Sequence, residues 1–215
     1  MKRPVLVACG VLREARIAEA AGGVVAVAGG GDGAWLEARL EDFARADAAG
    51  VMSFGLCGAL VDGLRVGDAV IGSGGNAAWT RAIEQRLDLR SGTVFSDGTL
   101  AAGAAAKRAI RNATGAIAID MESHIAARVA ARHGLPFLCL RVVSDGVEEA
   151  LPPAFAVAMR RGGGTDLGAM LRSLATRPRQ IPAFARASAN AVRALKRLEL
   201  LGGLLGPRLG LPDLG

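Results

Sequence analysis

A chain of 215 residues, 51% hydrophobic and 21% charged, can bury one full core and is too apolar to stay disordered. No apolar run reaches the roughly 18 residues that a membrane-crossing helix needs. Charge is uneven: residues 160–215 hold ten Lys/Arg against three Asp/Glu, and the rest of the chain holds 16 against 17, so the tail alone suits an acidic partner.

In chain order, MKRPVLVACGVLREAR imitates a signal peptide, but Arg13 and Glu14 close the apolar stretch and no small-residue cleavage site follows. PVLVACG (4–10) therefore reads as a first buried strand and EARIAEAAGG as a short helix ending in Gly. GVVAVAGGG (23–31) is a second strand that runs into a glycine loop. In AWLEARLEDFARADAAG, Leu36, Leu40 and Phe43 recur at helical spacing and Gly50 is the stop. VMSFGLCGAL (51–60) is a continuous apolar strand, followed in VDGLRVGDAVIGS by a turn and another strand. TVFSDGT (93–99) gives a short strand and loop, TLAAGAAAKRAIRNAT a helix, and AIAIDM (116–121) a strand.

The next helix, Met121 to His133, has clear ends. Ile125 and Val129 lie one turn apart, Gly134 follows as a cap, and Pro136 prevents continuation. PFLCLRVVS is then a fully buried strand. Apolar strands alternating with helices predict an α/β fold, a three-layer sandwich with a mostly parallel or mixed central sheet flanked by helices.

From Arg160 the texture changes to two helices broken at Pro178. Phe184, Val192, Leu195 and Leu198 make one stripe of the second helix, and Arg186, Arg193 and Arg197 make another. The favoured reading is a surface helix packed on the core with a solvated basic face. The sharper one is an interfacial helix resting on anionic lipid. The domain is drawn as residues 1–175, with 176–215 a basic extension packed on it or facing a membrane, and the last segment, GGLLGPRLGLPDLG, is expected to be flexible.

Cys9, Cys57 and Cys139 form no C-x-x-C pair, which suits reduced core thiols in a cytoplasm. His124 and His133 have no Cys at ligand spacing, so no metal is expected. Aromatics are 4% with no Tyr, so stacking platforms for nucleic acid are scarce. Ser53, Ser96 and Ser123 lack a G-x-S-x-G setting, and acyl transfer has no support.

Three motifs remain. In GGGDGA, Gly29, Gly31 and Ala34 occupy the G-x-G-x-x-A positions of a dinucleotide loop between strand and helix. This is the basis of the alternative reading, a nucleotide-binding module or NAD(P)-dependent oxidoreductase, although no acidic residue ends the following strand. The glycines equally serve a tight turn, or backbone N–H groups facing an anion. In FGLCGAL, Gly55 and Gly58 would let a flat ligand approach the backbone, or simply mark close packing. Glu122 in a first helical turn and Asp145 in an Asp-Gly turn each have a plain local explanation. Both, however, fall at the ends of expected strands on one side of a parallel sheet, where ligands collect.

AIDMESHIAA followed some twenty residues later by LRVVSDG, with FGLCGALVDGLRVGDAVIGS before them, resembles the nucleoside phosphorylase and nucleosidase superfamily. The resemblance covers residues 4 to 150 in order. In the tail and the short chain it is most similar to the hopanoid-associated phosphorylases, which are implicated in releasing adenine from adenosylhopane, a membrane triterpenoid. The resemblance implies cleavage of the N-ribosidic bond of an adenine nucleoside. Asp145 would be the general acid at purine N7, holding its proton through burial, with Ser144 orienting it. Glu122 would accept the ribose hydroxyls and favour the developing cation, Met121 would pack on the sugar, and Asp120 and Gly58 would complete the substrate site. The nucleophile stays open. Glu14 matches the glutamate that aligns water in the nucleosidases. Arg13, with Gly29 and Gly31, would hold inorganic phosphate as co-substrate in a phosphorylase. Water is favoured, because Ser53 and Leu56 stand where a phosphorylase has further contacts. The resemblance further implies self-association into a homo-oligomer; no cofactor other than phosphate is expected, and the reduced cysteines and basic tail together suggest a cytoplasmic enzyme with peripheral contact at the inner membrane.

Overall fold

The computed structural model describes residues 2–101 and 103–213. The first half of the chain runs β1 (Val5–Cys9), α1 (Leu12–Ala20), β2 (Val24–Ala28), α2 (Gly33–Arg45), β3 (Gly50–Ala59), β4 (Ala69–Gly72), α3 (Ala77–Glu84), β5 (Arg90–Gly92) and β6 (Val94–Ser96). The second half runs α4 (Ala104–Thr114), β7 (Ala118–Asp120), α5 (Ser123–Arg132), β8 (Phe137–Asp145), α6 (Pro153–Ala158), α7 (Leu167–Thr176) and α8 (Ile181–Leu205).

All five residues of β1 are buried because they feed two layers. Val5, Val7 and Cys9 pack toward α1, α3 and α8, where they meet Ala18, Trp79, Ile83 and Leu198. Leu6 and Ala8 pack toward α2 and α5, where they meet Leu36, Leu40, Ile125 and Val129. A strand covered on both faces needs no polar side, hence the unbroken apolar runs in the sequence. The three-layer expectation holds.

The sheet has eight strands in the order β2-β1-β3-β8-β4-β5, with β7 and β6 on a branch from β3. Strands β2, β1, β3 and β8 are mutually parallel, and β4 is antiparallel to β8. Strand β7 corrects the assumption that Glu122 and Asp145 end parallel strands, because it runs antiparallel to β3. It reaches the same place by another route. Strand β1 pairs with β3 only as far as Ser53, and β7 takes up the same edge at Gly58 and Ala59. Running back toward β1, β7 delivers its end to the end of β1. The edge of β3 between Ser53 and Gly58 is left as a notch.

The tail is part of the core. Ala194, Leu195, Leu198, Leu201 and Leu205 of α8 are buried in the same cluster as Val5 and Leu140, while Arg186 and Arg193 of the expected basic stripe are exposed, Arg197 is half-buried, and Val192 of the expected apolar stripe is exposed. This is the packed surface helix with a solvated basic face. Of the final segment expected to be flexible, Leu209 is buried and its carbonyl accepts a hydrogen bond from Trp79 Nε1 at 3.1 Å; residues 214 and 215 lie outside the described residues. Helix α3 was not foreseen. It is short, and it is held by an Asn76 cap on Trp79 N and by buried Trp79 and Ile83.

Candidate active site

Helix α1 begins two residues after β1, and its phase turns Glu14, Ala15 and Ala18 inward. Glu14 is buried at the notch. Its Oε2 accepts hydrogen bonds from the N–H groups of Gly10 (2.7 Å) and Val11 (2.9 Å), and its Oε1 from Leu56 N (2.8 Å). The last bond satisfies an amide of β3 that has no strand beside it. Burial pushes the Glu14 carboxyl above its ordinary range, against the pull of Arg141 and the three N–H donors.

Arg141 is fully buried in the middle of β8, opposite Gly55 of β3. A Cβ on Gly55 would lie 2.7 Å from Glu14 Oε1 and 2.8 Å from Arg141 Nη1, so only glycine lets the guanidinium cross β3 to the notch. There Nη1 donates to Leu56 O (3.3 Å) and lies 3.4 Å from Glu122 Oε2. Nε lies 2.7 Å from Asp120 Oδ2, an ion pair without the alignment of a hydrogen bond. A cation in a continuous apolar strand has to be paired, and that is the sequence signal for Arg141.

Asp120, expected in the substrate site, also braces its neighbours. Besides Arg141 it accepts from the N–H groups of Glu122 (3.2 Å) and Ser123 (3.0 Å), at the start of α5, and from the Ser123 hydroxyl. Glu122, just before α5, is ion-paired with Arg141. Burial lifts its carboxyl to about 7, with Asp120 and Glu14 adding to the rise and Arg141 opposing it. Glu14 and Glu122 flank Gly10, where a Cβ would fall 3.1 Å from Glu122 Oε1 and 3.3 Å from Glu14 Oε2.

On the far side of the notch, a bulge in β8 places Asp145, not Ser144, opposite Gly58. Bulges re-aim side chains, and a Cβ on Gly58 would lie 2.9 Å from Asp145 Oδ2. Ser144 Oγ donates to Asp145 Oδ1 at 2.8 Å, the orienting bond expected of it. Asp145 Oδ2 is ion-paired with Lys107 of α4, a buried partner with no cue in the sequence.

Glu14, Gly58, Asp120, Met121, Glu122, Ser144 and Asp145 thus line one cavity of about 140 Å³, together with Lys107. A larger apolar chamber of about 570 Å³ shares Glu14, Leu56, Leu100, Ser144 and Leu151 with it, and adds Phe155, Met159 and Met170.

The tentative phosphate set is not brought together. Arg13 is exposed on α1 and lines the apolar chamber, not the smaller cavity. Gly29 and Gly31 line a separate cleft of about 20 Å³ behind Met121 and Glu122. The Gly29 and Gly30 amides are spent on Cys9 O and Gly10 O, both at 2.8 Å. The dinucleotide reading fails for a related reason. The chain itself covers the loop, since a Cβ on Gly30 would fall 1.7 Å from Arg160 O, and Asp32 caps α2 at Trp35 N while pairing with Arg161. His124 bonds Ser96 Oγ at 2.9 Å and does not line the cavity.

A family model described as the phosphorylase superfamily matches residues 73–175. No curated protein matches the chain in sequence. Among solved structures, the S-adenosylhomocysteine nucleosidase of Streptococcus pyogenes, in complex with 5-methylthiotubericidin, superposes with a TM-score of 0.66 at 15% identity, over 99% of this chain and 98% of that one. The futalosine hydrolase of Helicobacter pylori gives 0.61 at 15%, over 92% and 96%. The 5′-methylthioadenosine/S-adenosyl homocysteine nucleosidase of Campylobacter jejuni gives 0.58 at 14%, over 93% and 100%. At these identities the likeness establishes the shared fold.

Proposed function

We propose that this chain, whose residues 73–175 match the phosphorylase superfamily model, cleaves the N-ribosidic bond of an adenine nucleoside with water as the nucleophile. The observation that carries the reading is the convergence of Glu14, Glu122 and Asp145 on one cavity. The bond to a purine breaks through a ribosyl cation, and the base leaves readily only once N7 carries a proton. Asp145, aimed by Ser144, hands over that proton. Glu122 accepts the ribose hydroxyls and, as an anion, favours the cation. Met121 packs against the sugar. Glu14 has one lone-pair direction left after its three N–H donors, and it orients a water toward C1′ and takes its proton. The dispersal of Arg13, Gly29 and Gly31 supports water over phosphate.

The apolar chamber beside the cavity supports a bulky apolar 5′ group, and adenosylhopane, whose cleavage would release adenine in hopanoid biosynthesis, is the substrate we favour. Exposed Leu167, Leu171 and Ile181, set among exposed Arg172, Arg177 and Arg179, support peripheral contact with an anionic membrane face. Substituting those three arginines by Glu should abolish binding to anionic vesicles while soluble adenosine is still cleaved; unchanged vesicle binding removes that part.

The test of the reaction is incubation with adenosine in phosphate-free buffer and in phosphate, with adenine followed by chromatography. The expected result is adenine and free ribose in both. Adenine only with phosphate would replace water by phosphorolysis, and no adenine in either would overturn the reading.

A further inference from the structure

Lys107 is 1% exposed, a burial that lysine tolerates only when its charge is paired. Its three N–H donors have three acceptors: Asp145 Oδ2, the carbonyl of Gly146 at 2.6 Å and that of Glu149 at 3.0 Å. The loop that supplies the two carbonyls is itself fixed. Glu149 Oε2 accepts Gly146 N at 2.9 Å, and Asn190 of α8 donates to the Glu149 carboxylate at 3.3 Å. Lys107 Nζ is thus held on the acid from the side away from Ser144, and it lines the same cavity.

A protonated Asp145 backed by the Lys107 ammonium holds one proton on the acid and a second in reserve behind it, and a purine leaving with the bonding electrons is a far stronger base than a carboxylate. We propose that Lys107 is the proton source behind Asp145: a positioning residue that recharges the acid within the same step. The inference rests on the cleavage reaction proposed above. As the C1′–N9 bond breaks and its electron pair moves onto the base, the Asp145 proton passes to N7. A proton from Lys107 Nζ replaces it on Oδ2, which leaves a neutral amine. Water adds to C1′ and gives its proton to Glu14; as the products leave, Glu14 releases that proton to solvent and solvent returns one to the amine. The balance is one nucleoside and one water giving one ribose and one adenine.

Arginine separates this role from a purely electrostatic one, because a guanidinium keeps the charge and the hydrogen bonds but does not release a proton. The experiment compares wild type, Lys107→Arg and Lys107→Met on adenosine and on N7-methyladenosine, whose base departs neutral without protonation. Wild-type release of adenine from adenosine is the control for the parent reading; without it, that reading has failed. Given that control, the expected result is a loss of about 100-fold or more in kcat on adenosine for both variants, with KM within a few-fold. On N7-methyladenosine, Lys107→Arg should stay within a few-fold of wild type. Recovery of adenosine kcat to within about threefold in Lys107→Arg would overturn the proposal, as would equal losses by Lys107→Arg on the two substrates.

Discussion

Replacing Glu122 by Gln should stabilise the fold at neutral and higher pH and leave it nearly unchanged at pH 4.5. Burial, with Asp120 and Glu14 nearby, raises the Glu122 carboxyl from an ordinary 4.5 to about 7 even though Arg141 pulls the other way. An acid that binds its proton more tightly in the folded state contributes stability that is fully present below pH 4.5 and is lost as pH rises through about 7. At about 1.4 kcal/mol per pH unit, the loss across that window is roughly 3 kcal/mol. Gln keeps the shape and never ionises, so the variant escapes this loss. For a chain of this length the difference corresponds to roughly 6–12 °C in Tm. Thermal unfolding of both proteins by circular dichroism at pH 4.5, 6.0 and 7.5 should show curves that coincide at the acid end and separate in favour of Glu122→Gln as pH rises. A difference independent of pH, or a variant less stable at pH 7.5, would refute the reasoning. Activity should move the opposite way, since the ribose loses its anionic acceptor.

Other expectations follow from the same geometry. Arg141→Met leaves Glu14, Asp120 and Glu122 without their buried cation, and urea unfolding should show about 3–5 kcal/mol lost. Gly58→Ala pushes a methyl group toward Asp145 Oδ2, 2.9 Å away; kcat on adenosine should fall about 100-fold, as for a catalytic group moved by about 1 Å. Leu198→Ala opens a cavity under α8 and should cost about 2–5 kcal/mol in the same urea assay. A loss below about 1 kcal/mol would return α8 to the status of an appendage.

Much of the architecture was legible because burial on two faces writes itself as unbroken apolar strands, as in VLVAC and FLCLRVV. The pair Glu122 and Asp145 was legible for a chemical reason: each carboxylate sits where a strand has just ended. The choice between Arg13 and Glu14 could also have been read, since helical phase puts Glu14 on the inward side with Ala18, one turn on. The direction of β7 was hidden, because three residues carry no mark of whether a neighbour runs with or against them. Lys107 was hidden too. In AAAKRAIR nothing separates a lysine that will be buried from the adjacent arginine, which is exposed. The burial of α8 was half visible: Leu195 and Leu198 announced an apolar stripe, but only the surface it meets distinguishes a core helix from an interfacial one.

In the proposed reaction Asp145 delivers the proton with which the base departs. Single-turnover release of adenine from adenosine by Asp145→Asn and by wild type, in phosphate-free buffer, measures this directly, because Asn retains the shape and cannot supply the proton. The predicted result is a rate about 100- to 10,000-fold below wild type. A rate within a few-fold of wild type would contradict it.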